Sequence, residues 1–203
     1  MAELQTIEMV IEDENENGVY ALSLVDDPAN KDETVLLSAD NIKVELSEVL
    51  NENQLTHLST ANEEKRLIVG LVLEPDTPIY RNNNGREYNI TFKAHTVEKA
   101  SYMYMAQLNN NNVTVQHDKP VSGVSVVESW IVLDSQKDKS ALFGKSYKVG
   151  SWAVVLKVHD PAKWEEYKAN GTTNISLEGV FKPKQKSTLE TKLSILKSAA
   201  NEL

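Results

Sequence analysis

Leu67-Ile68-Val69-Gly70-Leu71-Val72-Leu73 is the stretch on which the fold turns. It is a continuous apolar run of strand length that ends abruptly at Glu74-Pro75-Asp76-Thr77-Pro78, so it reads as a strand buried on both faces. The main body of the chain is expected to begin just before it, at Arg66. Downstream, Asn82-Asn83-Asn84-Gly85 is a turn by composition, and Glu87 to Phe92 alternates like a second strand. Thr96 is placed to cap a helix carrying Val97, Ala100, Tyr104, Met105 and Leu108, which Asn109 to Asn112 should stop. Val113 to His117, Gly123 to Leu133, Trp152 to Val158 and Thr172 to Phe181 read as four further strands. Between the last two, Asp160 caps a helix with Pro161 at its first position, Trp164 and Tyr167 on one face, and Asn170-Gly171 at its end.

Upstream of the apolar run the character changes. Residues 1–64 carry 16 acidic and 2 basic side chains, against a net charge of −9 for the whole chain. Phosphate would be repelled by such a segment, so nucleic acid is not its expected partner. Residues 6–12 and 18–25 read as two short strands around a turn-rich stretch, and Thr34-Val35-Leu36-Leu37 is a third apolar run. Residues 46–65 read as a linker or a loosely helical stretch. At the other end, residues 182–186 form a basic linker, and Ser187-Thr188-Leu189-Glu190 opens an amphipathic helix with leucines at spacings of 4 and 3.

Composition removes several classes of function. The 203 residues include no cysteine, which excludes a disulfide framework, thiolate metal sites and a thiol nucleophile. No apolar run reaches the roughly 18 residues needed to span a bilayer, and the start of the chain lacks a leader pattern, so the expectation is a cytoplasmic location with no membrane partner. No ligand spacing, phosphate loop or dinucleotide fingerprint is present; no metal and no cofactor are expected.

Three residues stand out chemically. Glu128 interrupts the face Val124, Val126, Glu128, Trp130, Val132 of one predicted strand. A carboxylate there either finds a donor partner, lies on a half-exposed face, or pairs with a lysine or arginine for stability. His117 closes the preceding strand, and a hairpin from 113–117 to 123–133 would bring it near Glu128. Ser176 lies on the strand face opposite Ile175 and Leu177, with Gly179 nearby to allow close backbone approach. Together they would compose an activated nucleophile, in which His117 takes the hydroxyl proton, Glu128 steadies the imidazolium and backbone N–H groups near residues 177–179 receive the oxyanion, an arrangement that spacing alone does not establish.

The ordered segments Val115 to Pro120, Val126 to Trp130, Gly150 to Val154, Asp160 to Trp164 and Asn174 to Phe181 resemble the serine protease domain of tailed-phage prohead maturation proteases. The run Val69 to Asp76 fits too, as does Ala21-Leu22-Ser23-Leu24-Val25-Asp26-Asp27-Pro28-Ala29 near the start. The resemblance implies an α+β fold related to herpesvirus assemblin, a compact, mostly antiparallel β-barrel surrounded by helices. It places the protease domain at 66–181, with 1–45 packing on it as acidic strands and 182–203 appended.

It also implies a function: cleavage of phage scaffold and major capsid proteins inside the immature head, in the bacterial host, usually with self-cleavage. The viral relatives suggest a homodimer. Carried over by position, Ser176 is the nucleophile, His117 the base and Glu128 the acidic member, with the backbones of Leu177 and Gly179 at the oxyanion. His159 is the alternative third member, although in the viral relatives the second histidine follows the serine. Leu177-Glu178 departs from the small residues that many relatives carry after the serine, and an anion at the oxyanion site would oppose catalysis unless Glu178 points away. The competing expectation is an inactive, protease-like capsid-assembly or scaffolding protein.

Overall fold

A computed structural model describes residues 4–29, 34–37 and 65–184. The linker expected at 46–65, apart from its last residue, and the C-terminal helix expected from Ser187 onward lie outside these residues. Twelve strands are described: β1 (Thr6–Val10), β2 (Gly18–Val25), β3 (Val35–Leu37), β4 (Leu67–Leu73), β5 (Ile79–Asn83), β6 (Arg86–Phe92), β7 (Val113–Val115), β8 (Lys119–Pro120), β9 (Val124–Ile131), β10 (Trp152–Val158), β11 (Asn174–Val180) and β12 (Lys182–Pro183). Two α-helices accompany them, α1 (Ala94–Ala106) and α2 (Pro161–Asn170).

The strands form three four-stranded sheets, in the orders β12-β1-β6-β5, β3-β4-β10-β9 and β11-β2-β7-β8. The expected α+β barrel ringed by helices is therefore not what forms. Among the described residues each sheet is open at both edges, and only two α-helices flank the strands. One reason is visible in β1 and β2, which do not pair with each other despite the turn between them. β1 runs parallel to β6, β2 inserts between β11 and β7, and β3 joins β4, so the N-terminal segment is shared among all three sheets instead of closing one.

The apolar run from Leu67 forms β4, paired with β10 on one side and β3 on the other. Its residues from Ile68 to Leu73 are buried, as a strand covered on both faces must be. Gly70 is required by a close approach, since a Cβ there would lie 2.9 Å from Ile175 Cδ1 and 2.6 Å from Thr34 Cγ2. The missing side chain lets Ile175 of β11 settle onto β4. The principal core gathers Trp152, Trp164, Tyr104, Leu22, Leu24 and Ile175 with their neighbours.

The expectation for α2 holds: Asp160 Oδ1 accepts from Ala162 N at 2.8 Å, Pro161 opens the helix, and Gly171 leaves it with φ 71°. Helix α1 starts earlier than expected. Lys93 occupies its N-cap without a side-chain bond, and Thr96 is buried within the first turn. Its buried face is Val97, Ala100, Met103 and Tyr104, whereas Leu108 lies beyond the helix, left-handed and 79% exposed.

Candidate active site

The third sheet carries the site, and its central strand comes from the N-terminal segment. In register, Ser176 of β11 faces Ser23 of β2, and Ser23 faces Thr114 of β7. Directly paired residues project from the same face, so the three hydroxyl side chains form a row across the sheet. Glu178, two residues beyond Ser176 on β11, shares that face. Its carboxylate reaches across β2: Thr114 Oγ1 donates a hydrogen bond to Glu178 Oε1, and His117 Nδ1 lies 3.4 Å from the same oxygen.

His117 arrives by a tight reversal. Gln116 and His117 both have positive φ, 53° and 58°, and Asp118 N donates to Val115 O at 3.1 Å. The connection from β7 to β8 spans residues 116–118, since Val115 pairs with Lys119, and its first two residues are left-handed. Neither residue is glycine, so the turn stores backbone strain of roughly 1–3 kcal/mol per residue. The hydroxyl of Ser23, buried beneath, accepts from His117 N at 3.0 Å and helps to hold the turn.

The side chain of Glu178 is only 15% exposed, while that of His117 is 44% exposed. The carboxylate is thus largely shielded from water and anchored, and the imidazole stays accessible on its far side. With Nδ1 turned to Glu178, Nε2 is free to face a reacting group. Ser176 Oγ has no hydrogen-bond partner among the described residues.

Glu128 is elsewhere. β7 pairs with β8 and β2, whereas β9 pairs with β10, so the expected hairpin from 113–117 to 123–133 does not form. The alternation that singled out Glu128 also breaks. Leu156 faces Val126 but Val155 faces Glu128, so Val127 is an extra residue in a β-bulge. A bulge reverses the side-chain phase, turning Glu128 off the Val124–Val126 face. It emerges 53% exposed and pairs with Lys139, whose ammonium also lies 3.9 Å from the Trp130 ring centroid. The pairing of Glu128 with a lysine is the structural outcome that its sequence context left open.

His159 is also remote from the row. Its Nε2 lies 3.2 Å from Ser125 Oγ, and that hydroxyl donates to Asn111 Oδ1 at 2.7 Å. A hydroxyl has one proton, so His159 must be the donor to Ser125, and it is committed there. His95 begins α1, and His57 lies outside the described residues. Among the described residues no three His, Asp or Glu side chains cluster to hold a metal.

Glu178, which the sequence marked only as an anion close to the oxyanion, is the carboxylate that the structure brings to His117. The signal was present, since Ser176 and Glu178 are two apart on a strand and must share a face. The concern that Glu178 would sit at the oxyanion is met by its direction, across β2 toward Thr114 and His117. The N-terminal motif has a clear place as well. Ala21 to Val25 lies in β2, Asp26 Oδ1 accepts from Thr172 Oγ1 at 2.8 Å, and Asp26 O accepts from Asn174 Nδ2 at 3.0 Å. These bonds clamp the start of the strand that bears Ser176. At the other end, a Cβ on Gly179 would lie 2.6 Å from Gly18 O, so only glycine lets β11 approach β2 so closely.

A serine, a histidine and a shielded carboxylate sharing one sheet face agree with the class that similarity to known proteins gives. The family described as "Putative phage serine protease XkdF" matches residues 54–184, and the chain belongs to that family. Two similar proteins come from Bacillus subtilis (strain 168). The phage-like element PBSX protein XkdF is 27% identical over 117 residues, 58% of this chain and 38% of the relative. The uncharacterized protein YqbD is 26% identical over 129 residues, 63% of this chain and 35% of the relative. The chain thus spans little more than a third of the length of either. No solved structure matches it significantly.

Proposed function

We propose that the chain is a serine endopeptidase acting on scaffold and capsid proteins during phage head maturation, with Ser176 as nucleophile, His117 as general base and Glu178, in place of Glu128, as the carboxylate behind the ring. The observation that carries this reading is the His117–Glu178 contact on the face that also bears Ser176. In this reading His117 keeps its Nδ1 proton toward Glu178, which leaves the Nε2 lone pair to take up the hydroxyl proton. Ser176 Oγ adds to the scissile carbonyl as its proton passes to Nε2. The imidazolium so formed, facing Glu178, then protonates the leaving amine. Water repeats the sequence to release the acyl group. The N–H groups of Leu177 and Gly179 are the candidate oxyanion donors.

The alternative, a protease-like assembly protein without activity, draws support from the absence of a Ser176–His117 hydrogen bond, although such bonds often close only when substrate is bound. A fluorophosphonate probe separates the two without knowledge of the substrate. The intact chain should be labelled on Ser176, and Ser176→Ala and His117→Ala should each lose several orders of magnitude of labelling rate, since these groups act as a unit. Mass spectrometry of the chain incubated with its cognate scaffold and capsid proteins should then show truncation that depends on Ser176. Absence of both labelling and cleavage would leave the assembly reading.

A further inference from the structure

Beside β11, and away from the Glu178 carboxylate, lies a cavity of about 380 Å³. Its walls include Val72, Ile79, Ile90, Phe92 and Phe181, and the backbone from Ile175 to Val180 runs along it, with Ser176 among the lining residues. Phe181 stands edge-on to Phe92 with ring centroids 4.8 Å apart, which gives the wall a rigid aromatic corner. The volume is of the size that accommodates a ligand or a large side chain.

Two features make this more than a packing gap. First, β11 is an edge strand. It pairs with β2 on one side, and among the described residues no strand pairs with its other side. A free edge offers backbone N–H and C=O groups to an incoming extended chain, while side chains at alternate positions enter adjoining pockets. Second, Arg81 lines the cavity beside these apolar side chains. Among the described residues its side chain makes one hydrogen bond, from Nη1 to Tyr80 O at 2.9 Å, and no carboxylate pairs with it. Burial pulls the guanidinium below its ordinary value, the direction expected of a cation short of a counter-ion. A partly desolvated guanidinium with spare donors is a receptor for a carboxylate.

We infer that the cavity and the free edge of β11 form the substrate-selecting groove, in which an extended polypeptide adds as a strand, buries a bulky apolar side chain and sets an acidic side chain on Arg81. The inference rests on the peptidase reading for its purpose, but the docking chemistry stands on the cavity. Continuity with Ser176 decides for a polypeptide, because a chain lying along residues 175–180 passes the hydroxyl.

The test uses the full chain carrying Ser176→Ala and a panel of blocked octapeptides in an alanine background. These carry Phe or Ala at one position and Glu, Gln or Lys at the neighbouring ones, with binding read by fluorescence anisotropy. The Phe peptides should bind about tenfold or more tighter than their Ala counterparts, the discrimination expected of an apolar pocket that gains several carbon atoms. Glu should be preferred over Gln. Arg81→Glu should move that preference to Lys, and Ala29→Leu, which narrows the cavity at its rim, should erode the Phe preference alone. N-methylation of the peptide should abolish binding only at alternate positions, as strand addition demands.

Circular dichroism checks that each variant is folded. Binding indifferent to Phe, or an Arg81→Glu variant that still prefers Glu, overturns the inference. The hydrolase reading has its own readout in fluorophosphonate labelling of the unmodified chain. Labelled Ser176 with no peptide selectivity sinks the groove and spares the enzyme. Selective binding without labelling does the reverse.

Discussion

Replacing Glu178 by glutamine keeps its shape and its acceptor for Thr114 but removes the charge facing His117. At the observed 3.4 Å, the attraction between a carboxylate and an imidazolium is about 5 kcal/mol at an effective dielectric constant of about 20 and about 1 kcal/mol in water. Glu178 is largely shielded and His117 half-exposed, so the true value lies between these limits. At about 1.4 kcal/mol per factor of ten, Glu178→Gln should slow acylation of Ser176 by between about fivefold and several thousandfold. The charge of Glu178 matters most at the step in which the serine proton passes to the ring and an imidazolium forms. Labelling rate by a fluorophosphonate, measured against probe concentration, reads the effect directly. Glu128→Gln is the control. Its partner is Lys139, remote from the serine row, and labelling should stay within about twofold of the parent, as for surface pairs generally. Labelling by Glu178→Gln at the parental rate, or a collapse in Glu128→Gln instead, would refute the assignment of the carboxylate.

Three further outcomes follow from the packing. Ser23→Ala leaves the N–H of His117 without its hydroxyl acceptor and frees a strained turn, so it should lower stability by about 1–3 kcal/mol in urea melts and slow labelling as His117 loses its setting. Gly70→Ala forces a methyl group against Ile175 and Thr34; a cost of about 1–3 kcal/mol in denaturant midpoint is expected, and an unchanged midpoint would show that β11 does not rest on β4 as described. Tyr104 is buried with no partner for its hydroxyl among the described residues, and burial holds its phenol above the ordinary value. The unfolded phenol therefore releases its proton near pH 10 while the folded one retains it, so stability should fall as pH rises past 10. Tyr104→Phe should be neutral or stabilising at pH 7 and should flatten that alkaline decline in thermal melts.

Much of the local structure was legible in the residues. The apolar run from Leu67 to Leu73 read as a strand covered on both faces, because it has the length of a strand and stops at Glu74-Pro75, and it forms one. The Asp160-Pro161 start and Gly171 stop of α2 were equally plain, since capping depends on a few neighbouring residues. His117 and Ser176 stood out for local reasons as well, one beside a turn and the other on a strand with glycine close by.

What only the tertiary structure decided was who meets whom. β2, from the N-terminal motif and outside the stretch matched by the family, separates the strands of Ser176 and His117, a long-range pairing on which no local pattern bears. The single extra residue at Val127 reversed the phase of β9 and sent Glu128 to Lys139, because side-chain direction along a strand has period two and one insertion inverts all that follows. The carboxylate behind His117 came instead from Glu178, whose reach across β2 depends on a register that contacts distant in the chain establish.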